Sequence, residues 1–310
     1  MTYVHPQLQA VLDASRDQPA MADVSVDTAR AQIAARTASR PRGPEIAEVR
    51  DLTIPGPGGE IPARLYRPDR PVGVALAFHG GGWMVGSLDS FDATSRYLAR
   101  DSGLAMVSVE YRLAPEHPFP AAVEDAWAAT RWVAANSEAI EADTSRLVVL
   151  GESAGGNLAA VVALLARDTG SPRIGLQVLV YPAVDARLQG PALDQFAEGY
   201  LQTKRDALHA FRTYGLGSVV DASDWRLSPL LAPSHADVAP ALIISAECDA
   251  MRDDSAAYAR RLLESGVRCT HVRYETMLHL FFGMRGVLWE AEHAQKQAAA
   301  AMRDAVRGAD

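Results

Sequence analysis

Short and almost continuously apolar runs alternate along the chain with segments of helical periodicity. Such runs are typical of parallel strands that are covered on both faces. They read VALAF, LAMVSVEYR, RLVVL, LQVLV, ALIISAE and CTHVRYE, and helical stretches such as SAGGNLAAVVALLARD separate them. Strands that alternate with helices form β-α-β units around one central sheet. The pattern therefore predicts an α/β fold, preceded by a hairpin made of EIAEVRDLTI and IPARLYRP.

Two intervals break this alternation. Residues 1–42 carry apolar residues such as Leu8 and Leu12 at helical spacing and predict a helical segment ahead of the sheet. Residues 185–236 show no clear strand, and aromatic residues are scattered there among polar ones. A connection of this length within a compact α/β protein is usually a functional insertion or lid, and an insertion that simply packs elsewhere is the alternative.

The composition argues against a nucleic-acid-binding or membrane protein. The chain has 310 residues, of which 48% are hydrophobic, and its formal net charge is −8. Binding to nucleic acid or to an anionic membrane needs clustered positive charge, and no basic run occurs. The longest apolar stretch, residues 158–166, is far shorter than the ~18 residues of a membrane span. The start of the chain does not resemble a signal peptide, so we expect a cytoplasmic protein without stable membrane association.

The cysteines and histidines indicate neither a disulfide framework nor a metal site. Only Cys248 and Cys269 are present, with no C-x-x-C pair. No H-E-x-x-H motif occurs, and the histidines are dispersed along the chain. We therefore expect no metal and no cofactor.

The sequence Gly151-Glu152-Ser153-Ala154-Gly155 matches G-x-S-x-G. It lies between the strand run RLVVL and the helical stretch NLAAVVALLA, which is the strand-turn-helix context of a nucleophile elbow. This tight turn strains the serine backbone and leaves no room for side chains two residues before and after the serine. Ser153 is therefore the candidate nucleophile, and the rest of the motif supports it.

A second glycine motif, His79-Gly80-Gly81-Gly82, follows the strand run VALAF. A tetrahedral intermediate carries negative charge on the former carbonyl oxygen, and backbone N–H groups reach that oxygen only where no side chain obstructs them. We assign the N–H groups of Gly81, Gly82 and Ala154 to an oxyanion hole. A phosphate-binding loop is the alternative, but neither G-x-G-x-x-G nor G-x-x-x-x-G-K-[ST] occurs.

A serine nucleophile needs a base and an orienting acid, and in this arrangement the acid precedes the histidine along the chain. Asp249 stands where the run ALIISAE gives way to a loop, so it is the candidate acid. Asp253 and Asp254 fit the first turn of the next helix instead. His279 follows CTHVRYE and is the candidate base, whereas His271 lies within that strand run.

Taken together, these motifs resemble the bacterial hormone-sensitive-lipase-like carboxylesterases, also called family IV esterases. The resemblance spans roughly residues 45–285. It rests on HGGGW at 79–83, YRLAPE at 111–116, GESAGGN at 151–157, and the surroundings of Asp249 and His279. It implies an α/β-hydrolase fold with an eight-stranded, mostly parallel sheet. It also implies a helical cap over residues 1–42 and 186–236, and a hydrolase core over residues 43–185 and 237–310.

Two positions depart from the pattern of this family. The family commonly reads Asp-Pro-Leu-Arg-Asp at the acid, whereas Ala250 replaces the proline here and removes one constraint on φ. The family often has glycine after the histidine, where this chain has Leu280. The larger side chain could narrow the pocket or turn into the core, and we favour the core. Neither change removes a catalytic atom.

The predicted function is a serine carboxylesterase that hydrolyses esters through an acyl-enzyme. Short to medium acyl chains are expected, because a cap limits the length of the pocket. The candidate pocket residues are Trp83, Met84, Phe91, Phe196, Tyr200, Phe211, Tyr214 and Leu280. Each aromatic residue in this set is equally consistent with a place in the core.

Other functions and partners stay open at this point. An amidase or deacetylase would use the same triad, and comparison of anilide with phenyl ester turnover separates the two. A ligand receptor on the same fold, as in the plant gibberellin-receptor-like branch, loses the base, so His279 argues against it. The expected partner is a small-molecule ester rather than nucleic acid. A homodimer is suggested by the resemblance alone, because relatives often pair through the terminal strand and helix.

Overall fold

Eight strands form one sheet in the computed structural model, which describes residues 3–16 and 18–308. They are β1 (Glu48–Gly56), β2 (Gly59–Arg67), β3 (Val74–Phe78), β4 (Ala105–Val109), β5 (Leu147–Glu152), β6 (Ile174–Val180), β7 (Ala241–Cys248) and β8 (Cys269–Leu278). Their order across the sheet is β1-β2-β4-β3-β5-β6-β7-β8. The pairs β1/β2 and β2/β4 are antiparallel and the others are parallel. This confirms the predicted eight-stranded, mostly parallel sheet.

Apolar side chains alternate between the two faces of the sheet, as the two-residue period of a strand requires. In β3, Val74, Leu76 and Phe78 pack on one face, and Ala75 and Ala77 pack on the other. Because both faces are covered by helices, both sets of residues are buried. This explains why the strand sequences are almost continuously apolar.

Ten α-helices are formed by the described residues. They are α1 (Pro6–Ser15), α2 (Val26–Ala38), α3 (Leu88–Ser102), α4 (Ala121–Ala135), α5 (Ser137–Ile140), α6 (Ala154–Thr169), α7 (Pro191–Gln195), α8 (Lys204–Tyr214), α9 (Arg252–Glu264) and α10 (Trp289–Arg307). Helices α4, α6 and α9 cover one face of the sheet, and α3 and α10 cover the other. None of the helices within residues 3–16 and 18–308 is long and apolar enough to cross a membrane.

Two parts of the chain are additional to the sheet and the five helices that cover its faces, namely α1 with α2, and residues 186–236 with α7 and α8; some of their side chains pack against the core. We call them the covering segments. They contact each other, because the buried Asp206 carboxylate of α8 accepts a hydrogen bond from the Ala22 N–H at 3.0 Å. Arg205 and Asp23 form an ion pair beside this contact. The two intervals that break the sequence alternation are therefore joined in space.

Candidate active site

Ser153 lies in the sharp turn between β5 and α6. Its φ of 56° and ψ of −115° are unfavourable for a residue with a side chain. Hydrogen bonds on both sides hold the turn. The Ser153 N–H donates to the Val180 carbonyl at 2.9 Å, and the Ser153 carbonyl accepts from the N–H groups of Asn157 and Ala183 at 3.0 and 3.2 Å. The strained turn leaves Ser153 partly exposed at the carboxyl end of β5.

Close backbone contacts explain the glycines around this serine. A Cβ at Gly155 would lie 2.0 Å from the carbonyl oxygen of Phe78 in β3, and a Cβ at Gly151 would lie 1.9 Å from the carbonyl oxygen of Gly155. Backbone atoms cannot move aside as a flexible side chain can. The turn therefore packs directly on β3 because Gly155 has no side chain, and its two ends approach closely because Gly151 has none.

Three side chains from the ends of three strands meet at this turn. The His279 Nδ1–H donates to Asp249 Oδ2 at 2.7 Å, and Ser153 Oγ lies 3.0 Å from His279 Nε2. Asp249 and His279 are 1% and 2% exposed, so water does not compete for the bond between them. In this tautomer Nε2 is free to accept the serine proton, and the carboxylate stabilises the imidazolium that results.

Asp253 and Asp254, the other two candidates for the acid, do not contact His279. Asp253 accepts a hydrogen bond from a backbone N–H of α7 at 2.8 Å. Asp254 is buried and accepts the Val184 N–H at 3.3 Å. Burial, together with the charge of Asp185, raises the pKa of Asp254 well above its usual range. Of these three carboxylates, only Asp249 makes a hydrogen bond to His279.

A cavity of about 460 Å³ opens beside the Ser153 hydroxyl. Gly81, Gly82 and Ala154 line it together with Ser153 and His279. Gly81 has a φ of 123°, and a Cβ there would lie 2.1 Å from a backbone oxygen of the same loop. Gly81 therefore cannot carry a side chain, and the backbone of this loop reaches the cavity, as binding of an oxyanion requires. Among residues 3–16 and 18–308, no three or more His, Cys, Asp or Glu side chains are placed to hold a metal ion.

His79 and Glu152 are buried and do not line the cavity. The buried His79 ring stacks on Tyr111 at 4.4 Å, and the Tyr111 hydroxyl donates to the His79 carbonyl at 2.8 Å. Burial lowers the pKa of His79 to about 4, so this imidazole is neutral at pH 7. Glu152 is also buried, and burial raises its pKa above the usual range of a glutamate.

The structure divides the eight residues that the sequence suggested for the pocket. Four of them line the cavity: Trp83, Tyr200, Phe211 and Leu280. The other four pack outside its wall: Met84, Phe91, Phe196 and Tyr214. Phe91 and Phe196 are part of the core on the face covered by α3 and α10, and Tyr214 stacks behind Trp83 at 4.6 Å. Those four assignments are therefore corrected.

The side chain of Leu280 is placed differently from our expectation. It lines the cavity instead of turning into the core. Its φ of 73° is in the left-handed region that favours glycine, which is the residue often present here in the family. Leu280 therefore occupies a backbone conformation suited to glycine, and it lines the cavity next to His279 in the chain.

Sequence reasoning missed the role of Asn157 and most of the cavity wall. The buried Asn157 amide donates to the carbonyl oxygens of Ala183 and Leu227 at 2.8 Å each, and so ties α6 to the connection after β6. Its place at the end of the GESAGGN motif was the only available signal. Ile33 and Met251 also line the cavity. No local pattern marks them, because long-range packing brings them there.

The fold and this site together define a class of protein. A mostly parallel sheet with an antiparallel start carries a serine, an acid and a histidine on the loops after β5, β7 and β8. Residues 75–283 match the sequence model of a family described as having the α/β-hydrolase fold. The chain belongs to this α/β-hydrolase family.

Within this family the chain is similar to esterases. It is 46% identical over 273 residues to the carboxylic ester hydrolase LipN of Mycobacterium tuberculosis, covering 84% of this chain and 72% of LipN. It is 40% identical over 243 residues to an ethyl acetate hydrolase of Pseudomonas putida, covering 76% of each chain. The structure of a hyperthermophilic esterase from Pyrobaculum calidifontis superimposes with a TM-score of 0.90 at 39% identity, covering 99% of this chain and 100% of that one. These findings confirm the predicted carboxylesterase family and the predicted enzyme class.

Proposed function

We propose that the protein hydrolyses short- to medium-chain acyl esters through an acyl-enzyme formed on Ser153. The observation that carries this proposal is the hydrogen-bonded series Asp249–His279–Ser153 at the floor of the cavity. In the first step Ser153 Oγ attacks the ester carbonyl and its proton passes to His279 Nε2. The Asp249 carboxylate holds the imidazole and stabilises its positive charge.

The proposed oxyanion hole acts on the intermediate of this step. The carbonyl oxygen becomes negatively charged, and the N–H groups of Gly81, Gly82 and Ala154 stabilise it. Breakdown of the intermediate releases the alcohol, which takes the proton from His279. Water then attacks the acyl-enzyme with His279 again as the base, and the acid leaves as Ser153 regains its proton.

We also propose that the covering segments act as a cap over this site, with residues 1–42 and 186–236 as the cap and residues 43–185 and 237–310 as the core. Ile33 from α2 and Ala207 from α8 both line the cavity, which supports this division. Two separate parts of the chain therefore contribute to the wall of the cavity. Its length is therefore limited by the cap rather than by the sheet.

The proposed cap leads to a prediction about the length of the acyl chain that the enzyme prefers. With a series of p-nitrophenyl esters at concentrations below micelle formation, we expect kcat/KM to peak at short or medium chains and to fall towards C16. Each CH₂ that enters the apolar part of the cavity gains about 0.8 kcal/mol, and a longer chain meets the cap instead. The relative from Pseudomonas putida is named for an ester with a two-carbon acyl group. A maximum at C16 would contradict the proposal.

The proposed setting is a cytoplasmic enzyme that acts on small-molecule esters and pairs into a homodimer. The net charge of −8 supports the absence of polyanionic partners.

Strand β8 lies at the edge of the sheet with one neighbour, and Trp289 at the start of α10 is 69% exposed. An unpaired edge beside an exposed aromatic residue favours pairing of two copies. Sedimentation velocity at micromolar concentration tests this, and a monomer alone would contradict it.

A further inference from the structure

The loop of the proposed oxyanion hole has a strained backbone. Three consecutive residues, Gly81, Gly82 and Trp83, have positive φ values of 123°, 60° and 58°. A residue with a Cβ, such as Trp83, adopts this region only where its surroundings hold it. Inside the loop, the N–H groups of Met84 and Val85 both donate to the Gly81 carbonyl at 3.1 Å. The remaining constraint comes from outside the loop.

Much of that constraint comes from one side chain of helix α2. Arg30 Nε donates to the Met84 carbonyl at 2.9 Å, and Nη2 donates to the Ala114 carbonyl at 3.0 Å. Both terminal nitrogens also pair with the Glu116 carboxylate at 2.7 Å. The planar guanidinium has five N–H donors in a fixed arrangement, which lets it reach three acceptors at once. The single ammonium of lysine cannot reproduce this geometry.

These hydrogen bonds connect three parts of the chain to one another: helix α2, the glycine loop and the 111–116 loop. The Ala114 N–H donates to the Trp83 carbonyl at 2.8 Å, while Arg30 holds the Ala114 carbonyl. The carbonyls of Trp83 and Met84 are therefore both fixed, one by the 111–116 loop and the other by α2. Ala29, the neighbour of Arg30 on α2, packs in the same apolar cluster as Met84.

We propose that Arg30 is a positioning residue that couples helix α2 to the oxyanion hole. The N–H groups of Gly81 and Gly82 are directed at the substrate oxygen only while α2 is packed in its observed position and Arg30 binds the carbonyl groups of the loop. The covering segments then contribute to the chemical step as well as to binding. This inference rests on the oxyanion role proposed above for the two glycines.

The test compares Arg30→Met with wild type on a short p-nitrophenyl ester. We expect kcat/KM to fall by about 10- to 100-fold, less than the complete loss of an oxyanion donor would cost. Affinity for a trifluoromethyl ketone should fall by the same factor, because its adduct with Ser153 places an oxyanion in the hole. Affinity for the matching methyl ketone, which stays an uncharged carbonyl, should change by less than about twofold.

Two further variants separate the carbonyl contacts from the ion pair. Arg30→Lys should recover only part of the loss. Glu116→Gln removes one charge but leaves both carbonyl acceptors of Arg30, so its loss should be the smaller one. The control is Arg67→Met, which breaks a comparable 2.7 Å ion pair with Glu48 in the β1–β2 hairpin and should leave all three measurements unchanged.

The outcomes distinguish this inference from the proposed function. If Arg30→Met keeps kcat/KM and trifluoromethyl ketone affinity within about twofold of wild type, the inference is wrong, and ester hydrolysis by the wild type still stands. Equal losses of affinity for both ketones would show that Arg30 only anchors the covering segments, which also overturns the inference. If Arg30→Met does not fold, Arg30→Lys takes its place in the same ketone comparison, with a smaller expected loss of trifluoromethyl ketone affinity and again no change for the methyl ketone. A wild type without esterase activity would overturn the proposed function itself.

Discussion

Replacement of Ser153 or His279 by alanine is expected to lower kcat for a short p-nitrophenyl ester by on the order of 10⁶. Without the hydroxyl no acyl-enzyme forms, and without the imidazole the hydroxyl keeps its proton. Because the two side chains act as one unit across a 3.0 Å hydrogen bond, the double variant should lose no more than either single one. Steady-state kinetics on purified variants, with folding checked by circular dichroism, gives the comparison.

A matched variant tests whether the loss is specific to Ser153. Ser245 is buried in β7 and bonds to His271 at 2.8 Å, so Ser245→Ala removes a second serine from a hydrogen bond to histidine outside the proposed site. It should keep kcat close to that of wild type. If Ser153→Ala retained more than a few per cent of the activity, the nucleophile would have to be another residue.

The second large effect concerns the acid. Asp249→Asn should lower kcat by roughly 10⁴, because an amide at this position favours the wrong imidazole tautomer and cannot stabilise the imidazolium. Asp253→Asn should keep most of the activity, since that carboxylate accepts a backbone N–H of α7 and pairs with Arg252 instead of contacting His279. Both variants remove one negative charge from the same stretch of chain, so each controls for the other. The reverse ranking would show that Asp253 is the acid.

The serine turn and the sheet could be predicted from sequence because their signals are local. Two positions around Ser153 must be glycine because their contacts leave no space for a Cβ. The strand sequences are apolar because both faces of the sheet are buried. The acid and the base followed from chain order combined with the ends of β7 and β8. Asp249 could be chosen over Asp253 as the acid because Asp249 directly follows a strand, whereas Asp253 lies in the first turn of a helix.

The cavity wall was less predictable because it depends on which way each side chain faces after long-range packing. Trp83 and Phe91 are both apolar aromatic residues near the same glycines, yet Trp83 lines the cavity and Phe91 packs in the core. No local sequence pattern indicates the role of Arg30, since its hydrogen-bond acceptors lie 54 to 86 residues further along the chain. The left-handed backbone of Leu280 is likewise invisible in a single sequence.

Covalent labelling tests the central claim, that Ser153 is a nucleophile activated by His279, most directly. The enzyme is treated with a fluorophosphonate, digested, and the modified peptide is identified by mass spectrometry. The expected result is one adduct per chain on the peptide that carries Ser153, absent in Ser153→Ala and formed far more slowly in His279→Ala. An adduct on a different serine, or an active enzyme that takes no label, would contradict it.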